Sequence, residues 1–237
     1  MNPKRMADEF VQDLGGALGE RLKAALLFGS AARDEWIEGV SDVNVLILLD
    51  DIDAPVLGRA APVAQKALAR GIRPLLMEKG EWRRAADVFT IEVSDMQQAS
   101  VMLLGDNPVE HLIVQPPIMR LQAERELRAK LLHLHSGMLM VADDPARLGQ
   151  LLTHSLPSFA TYLRTLLRLD ALDVPHGAAA VIEAGCRKAG ADPAPFLDVL
   201  RARTAKTPLE LKLTDPLPDA YNTAAEKIAA YIDSWRR

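Results

Sequence analysis

Cysteine is nearly absent from this chain of 237 residues. Cys186 stands alone, which excludes an intrachain disulfide framework and leads us to expect a reducing compartment. Aromatic residues are also scarce, at 5%. Trp36, Trp82 and Trp235 lie too far apart in sequence to form a base-stacking platform, so packing roles are expected for them. No apolar run approaches the roughly 20 residues of a membrane span. The opening MNPKRMADEF lacks the apolar core of a signal peptide, so no membrane partner and a cytoplasmic location are expected. Positive charge is not in excess: the formal net charge of −4 argues against a nucleic-acid partner. The histidines show no zinc-like spacing, and there is neither an internal repeat nor a low-complexity tract.

What remains is an ordinary globular composition, 49% hydrophobic and 25% charged, long enough for one large or two modest cores. Acidic charge is concentrated early. Residues 1–115 carry 12 Lys and Arg against 18 Asp and Glu, whereas residues 116–237 carry 16 against 14. The first part alternates apolar strand-like runs (22–28, 40–49, 72–77, 88–93, 101–104, 109–114) with helical patterns at 5–19, 56–70 and 81–86, which predicts a small α/β (α+β) domain over 1–115. After Pro116-Pro117 the apolar period becomes helical throughout. Helices are expected at 118–141, 144–169 (bent at Pro157), 177–189, 193–203 and 218–235, forming an all-α helical bundle over 116–237.

The most informative stretch is LLFGSAARDEWIEGVSDVNVLILLD, from Leu26 to Asp50. An apolar strand stops at Gly29-Ser30, where a glycine permits close backbone approach and a hydroxyl with helix-start N–H groups suits phosphate. A helix beginning at Ala31, Ala32 and Arg33 is expected to follow. Asp42 and Asn44, two apart on the next strand, point to one face. Glu92, on the polar face of the 88–93 strand, could join them, with Glu78 a competitor. Oxygen ligands beside a phosphate-binding turn are what a Mg²⁺–nucleotide site requires.

At these residues the chain resembles the DNA polymerase β-like nucleotidyltransferase superfamily. Its signature is a Gly-Ser turn, an acidic-x-acidic strand about a dozen residues on, and a third acid on a later strand. A transferase domain with a small mixed sheet followed by a helical bundle is similar to bacterial antibiotic nucleotidyltransferases. Asp87–Val93, Leu104-Gly105-Asp106 and the 121–132 helix resemble their uncharacterised relatives. The resemblance implies that Gly29, Ser30 and Arg33 bind nucleotide. It implies further that Asp42, Asn44 and Glu92 hold Mg²⁺ (or Mn²⁺), and that Asp42 and Glu92 are catalytic. AMP would pass from an NTP, with ATP favoured, to an acceptor hydroxyl, on a small molecule in preference to a protein. Two departures stand out: Asn44 replaces the second acid, and Asp34 replaces the glycine usual after the Arg33 position.

Two other readings follow from the residues. Asn44 brings no charge, so the chain could be an inactive nucleotide-binding or interaction module of the same fold. The spacings Arg128 to His133 and Arg147 to His154 also resemble the Arg-x4–6-His pattern of HEPN helical ribonucleases, a remote alternative.

Overall fold

The computed structural model describes residues 2–236, which fall into two compact units, one ending at Gln115 and the other beginning at Pro116. The first is built on a mixed four-stranded sheet, as the α/β pattern predicts. Strands β1 (Leu22–Phe28), β2 (Val43–Leu49), β3 (Ile72–Glu78) and β4 (Ser100–Leu104) lie in the order β3-β2-β1-β4. The β1 strand pairs antiparallel with β2 and β4, while β2 and β3 pair in parallel.

Period-two alternation sorts the apolar side chains of the central strands to two covered faces. Leu27, Val43, Val45, Ile47 and Leu49 pack with α1 (Pro3–Leu18) and α2 (Ala54–Ala69), against Phe10, Leu14 and Val56. Leu26, Leu46 and Leu48 pack instead against Trp82, Val93 and Met96, from α3 (Lys79–Arg84) and α4 (Thr90–Gln98). Covering on both sides explains why β2 reads as a nearly unbroken apolar run. Side-chain caps fix where the long helices begin. Asn2 accepts from Arg5 N at 3.1 Å, and Asp53 accepts from Val56 N at 2.7 Å.

Four expectations for this unit are corrected. The segment 88–93 is not a strand: Thr90–Gln98 is helical, so Glu92 lies in the first turn of α4. Alternating Phe, Thr, Ile, Glu, Val and Ser favoured a strand, but helix geometry buries Thr90, Ile91, Val93, Ser94, Asp95 and Met96 together, and tertiary packing overrides the propensity. The segment 109–114 is not a strand either. Gln97 Nε2 donates to the carbonyls of Val109 (2.8 Å) and Leu112 (2.7 Å), and Trp82 Nε1 donates to that of Pro108 (3.1 Å). Side chains thus supply partners that a ladder would have supplied. Finally, the helix expected from Ala31 is a single 3₁₀ turn, Gly29–Ala31, because the chain reverses at Asp34 with φ +58°. The N-terminal edge of β2 is later than expected, at Val43.

The second unit consists, among the described residues, of α5 (Pro116–Met140), α6 (Pro145–Leu169), α7 (Ala178–Ala189), α8 (Ala194–Ala205) and α9 (Pro216–Ser234). The α6 helix runs on through Pro157, and Asp144 caps its start by accepting from Arg147 N at 3.0 Å. Phe159, Phe196 and Tyr221 form an aromatic centre with ring centroids 4.5–5.6 Å apart. The Tyr221 phenol is buried, which raises its pKa, and it is paired with Ser155 Oγ at 2.8 Å. Cys186 is fully buried, and burial pushes its thiol up to about 12, so it is an inert packing residue. No helix among the described residues is long and apolar enough to cross a membrane.

Candidate functional site

The Gly29-Ser30 turn forms where β1 ends. Gly29 adopts φ +76°, a conformation that favours glycine, and a Cβ placed there would lie 2.9 Å from Asn44 Nδ2. Phe28 and Asn44 are register partners across the β1–β2 ladder, so the strand pairing itself aims the Asn44 amide at the turn. The Gly29 carbonyl accepts from Ala32 N (3.1 Å), and the Ser30 carbonyl accepts from Arg33 N (3.3 Å) and Glu35 N (2.9 Å). Both carbonyl oxygens are therefore occupied within the loop by the N–H groups of Ala32, Arg33 and Glu35.

The rest of the loop is closed by its own polar groups. Trp36 Nε1 donates to the Ser41 carbonyl at 2.8 Å, and Ser41 Oγ accepts from Ile37 N at 3.2 Å. Asp34 occupies the left-handed conformation that a glycine would adopt without strain. The residue departs from the family pattern, yet the backbone at that position takes the shape a glycine serves. Asp and Asn tolerate this region better than other side chains do.

Asp42 sits immediately before β2, exposed, with Oδ1 3.4 Å from Arg73 Nη2. Gly29, Ser30, Asp42 and Asn44 therefore share the end of two adjacent strands. Arg33 does not join them as a free cation. Its Nη1 lies 2.5 Å from Asp95 Oδ2 and its Nε 3.4 Å from Glu35 Oε2, with its side chain 16% exposed. Glu92 is half-buried on α4, the helix that covers the Leu46–Leu48 face. Among the described residues, no three His, Cys, Asp or Glu side chains gather to hold a metal ion. Asp42 and Asn44 both carry side-chain oxygens, the donor type that Mg²⁺ takes together with substrate phosphates. Glu78 is engaged elsewhere, accepting from Ile52 N at 3.1 Å.

Sequence reading missed Arg73 and Asp95. Arg73 is the register partner of Asn44 on β3, and only the parallel pairing of β2 with β3 reveals that. Asp95 lies just past the 88–93 segment, and only the helix Thr90–Gln98 brings it to Arg33. In the helical unit, Arg128 is tied to Glu124 (3.2 Å) and Asp233 (3.0 Å), while His133 and His154 are exposed. An open cleft of about 330 Å³ there is lined by Asp170, Tyr231, Ser234, Trp235 and Arg236, and includes none of the Gly-Ser site.

No protein-family model and no curated protein matches the chain in sequence. Solved structures do match in fold. One is the spectinomycin adenyltransferase AAD(9) from Enterococcus faecialis, determined with ATP and spectinomycin. It is similar over 95% of this chain and 98% of its own, at a TM-score of 0.61 and 13% identity. The chain thus has the fold of an antibiotic-type nucleotidyltransferase.

Proposed function

We propose that this chain is a nucleotidyltransferase that moves AMP from ATP to a hydroxyl of a small-molecule acceptor. The observation that carries the reading is the Gly29-Ser30 turn with the Asn44 amide set against it, at a strand end that also bears Asp42. The fold likeness to an adenyltransferase supports nucleotidyl transfer in general, and that neighbour's ATP and small-molecule ligands favour the same classes here.

In this reading the Ser30 hydroxyl and the turn's N–H groups hold the polyphosphate, and Asp42 with Asn44 would hold the accompanying Mg²⁺. The cation would supply charge neutralisation at the phosphate oxygens. The acceptor oxygen bonds to the α-phosphorus, the bond from phosphorus to the pyrophosphate bridging oxygen breaks, and pyrophosphate departs with its electron pair. The hydroxyl proton passes to a base, a role assigned to Glu92 on α4. Replacing one acid by a neutral amide removes about 3 kcal/mol of preorganised electrostatic stabilisation, a slowing of about a hundredfold. Slow turnover is therefore expected.

A second reading, a nucleotide-binding module without turnover, is favoured by Asn44 and by the helical position of Glu92. Incubation with α-labelled ATP, Mg²⁺ or Mn²⁺ and a panel of hydroxylated small molecules separates the two. Label transfer abolished by Asp42→Ala supports the enzyme, with Glu92→Gln removing transfer but not ATP binding. Binding with no transfer, unrepaired by Asn44→Asp, leaves the module. A chain that binds no NTP is neither.

A further inference from the structure

The donors at this strand end do not fit a pair of divalent cations. Two such ions about 3.5–4 Å apart repel each other strongly, and bridging carboxylates must offset that repulsion. Here the strand end offers one exposed carboxylate, Asp42, and one neutral amide, Asn44; Glu92 stands on α4, and no three His, Cys, Asp or Glu side chains gather among the described residues. The neighbouring formal charge is instead positive. Arg73 is the register partner of Asn44 on the parallel strand, and its Nη2 stands 3.4 Å from Asp42 Oδ1.

Arg73 is also held in place. Its Nη1 donates to the Leu68 carbonyl at 3.2 Å, in the last turn of α2, where the helix dipole favours a cation. A guanidinium's planar fork matches phosphate oxygens. Relative to a site with two carboxylates, the amide removes one negative charge and the guanidinium adds one positive charge. Together these equal the charge of one divalent ion.

We infer that the site takes its nucleotide with one divalent cation and uses Arg73 in place of a second, as a binding residue for the polyphosphate. The inference rests on the nucleotide site proposed above. It predicts that charge neutralisation survives without a second ion, while the ability of a second ion to bridge reacting oxygens is lost.

The test is a Mn²⁺ titration of the full chain followed by electron paramagnetic resonance, in the presence of the non-transferable analogue α,β-methylene-ATP. Calorimetry of the same analogue in EDTA accompanies it. One Mn²⁺ per bound nucleotide is expected. Arg73→Ala should weaken metal-free binding about tenfold, and Arg73→Lys should restore part of that loss. The double variant Asn44→Asp/Arg73→Ala should accept a second Mn²⁺. A purely structural role for Arg73 would leave the ion count unmoved. Two ions per nucleotide in the natural chain, or unchanged analogue affinity in Arg73→Ala, overturns this inference while leaving the nucleotide site standing. No analogue binding under any condition overturns both.

Discussion

Arg33 and Asp95 are 62 positions apart in sequence, yet Nη1 of one lies 2.5 Å from Oδ2 of the other. Their side chains are only 16% and 11% exposed, so the pair ties the loop after the Gly-Ser turn to α4 in a partly dry setting. Removing one partner takes away the shortest ion pair of the other, although Arg33 keeps Glu35 at 3.4 Å. Asp95→Ala should lower the unfolding free energy by about 2–3 kcal/mol. Arg33→Ala/Asp95→Ala should cost less than the sum of its singles, because the interaction between the two is lost only once. Urea denaturation of the four proteins measures this coupling, and strict additivity would show that the pair does not act as a unit.

The left-handed backbone at Asp34 makes a narrower prediction. Asp34 is exposed and carries φ +58°, so its side chain matters less than its conformation. Asp34→Gly relieves local strain but adds freedom to the unfolded chain, and the two effects should cancel to within about 0.5 kcal/mol. Asp34→Val places a β-branched residue in a region it avoids and should cost about 2 kcal/mol. Thermal melting of both variants decides the matter: equal melting points would mean that the loop relaxes out of this conformation.

Why some of this was legible in sequence and some not follows from what each signal encodes. The β1 and β2 strands could be read because each is a dense apolar run, and the helical unit because its period stays near 3.6 over long stretches. Gly29, Ser30, Asp42 and Asn44 were legible as a group because they sit on consecutive elements joined by a short loop, so local spacing fixes their proximity. Glu92 was misplaced because a short segment rich in β-branched residues carries a strand preference, which only the packing of Val93 and Met96 under the sheet overrides. Arg73 and Asp95 depend on strand order and helix placement, and these are tertiary facts with no local spelling. The charge of Arg33 was visible, but not that a buried carboxylate would take it up.

Asp170 gives the helical unit a pH dependence. Burial pushes its carboxyl up, but hydrogen bonds from Tyr231, Lys188 and Trp235 outweigh that and hold it below the ordinary carboxylate value. The bonds measure 2.5 Å from the Tyr231 hydroxyl, 3.0 Å from Trp235 Nε1 and 3.2 Å from Lys188 Nζ, joining the ends of α6 and α9 with α7. A carboxyl with a lowered folded pKa stabilises the fold fully above its unfolded value, about 3.9. That contribution is lost as pH falls through the lower folded value. Asp170→Asn should therefore cost about 2 kcal/mol at pH 7. The gap between the two proteins should shrink steadily below about pH 4. A gap that stays constant down to pH 2.5 would show that the Asp170 charge contributes nothing.

The glycines on helices separate by what surrounds them. A Cβ on Gly16 in α1 or on Gly58 in α2 would meet nothing within 4 Å, so each residue holds backbone freedom without a packing reason for it. Gly16→Ala and Gly58→Ala should each stabilise the chain by about 0.5–1 kcal/mol. Gly149 is the opposite case. A Cβ there would lie 1.9 Å from the Leu209 carbonyl oxygen, and backbone cannot step aside as a side-chain tip can. On Gly185 the added atom would lie 2.7 Å from Leu163 Cδ2, where some repacking is open to it. The expected order of damage is thus Gly149→Ala above Gly185→Ala, with the former losing about 3 kcal/mol. Chemical denaturation of the four variants tests the ranking, and a Gly149→Ala protein as stable as the natural chain would mean that the 206–215 connection does not lie against α6 in solution.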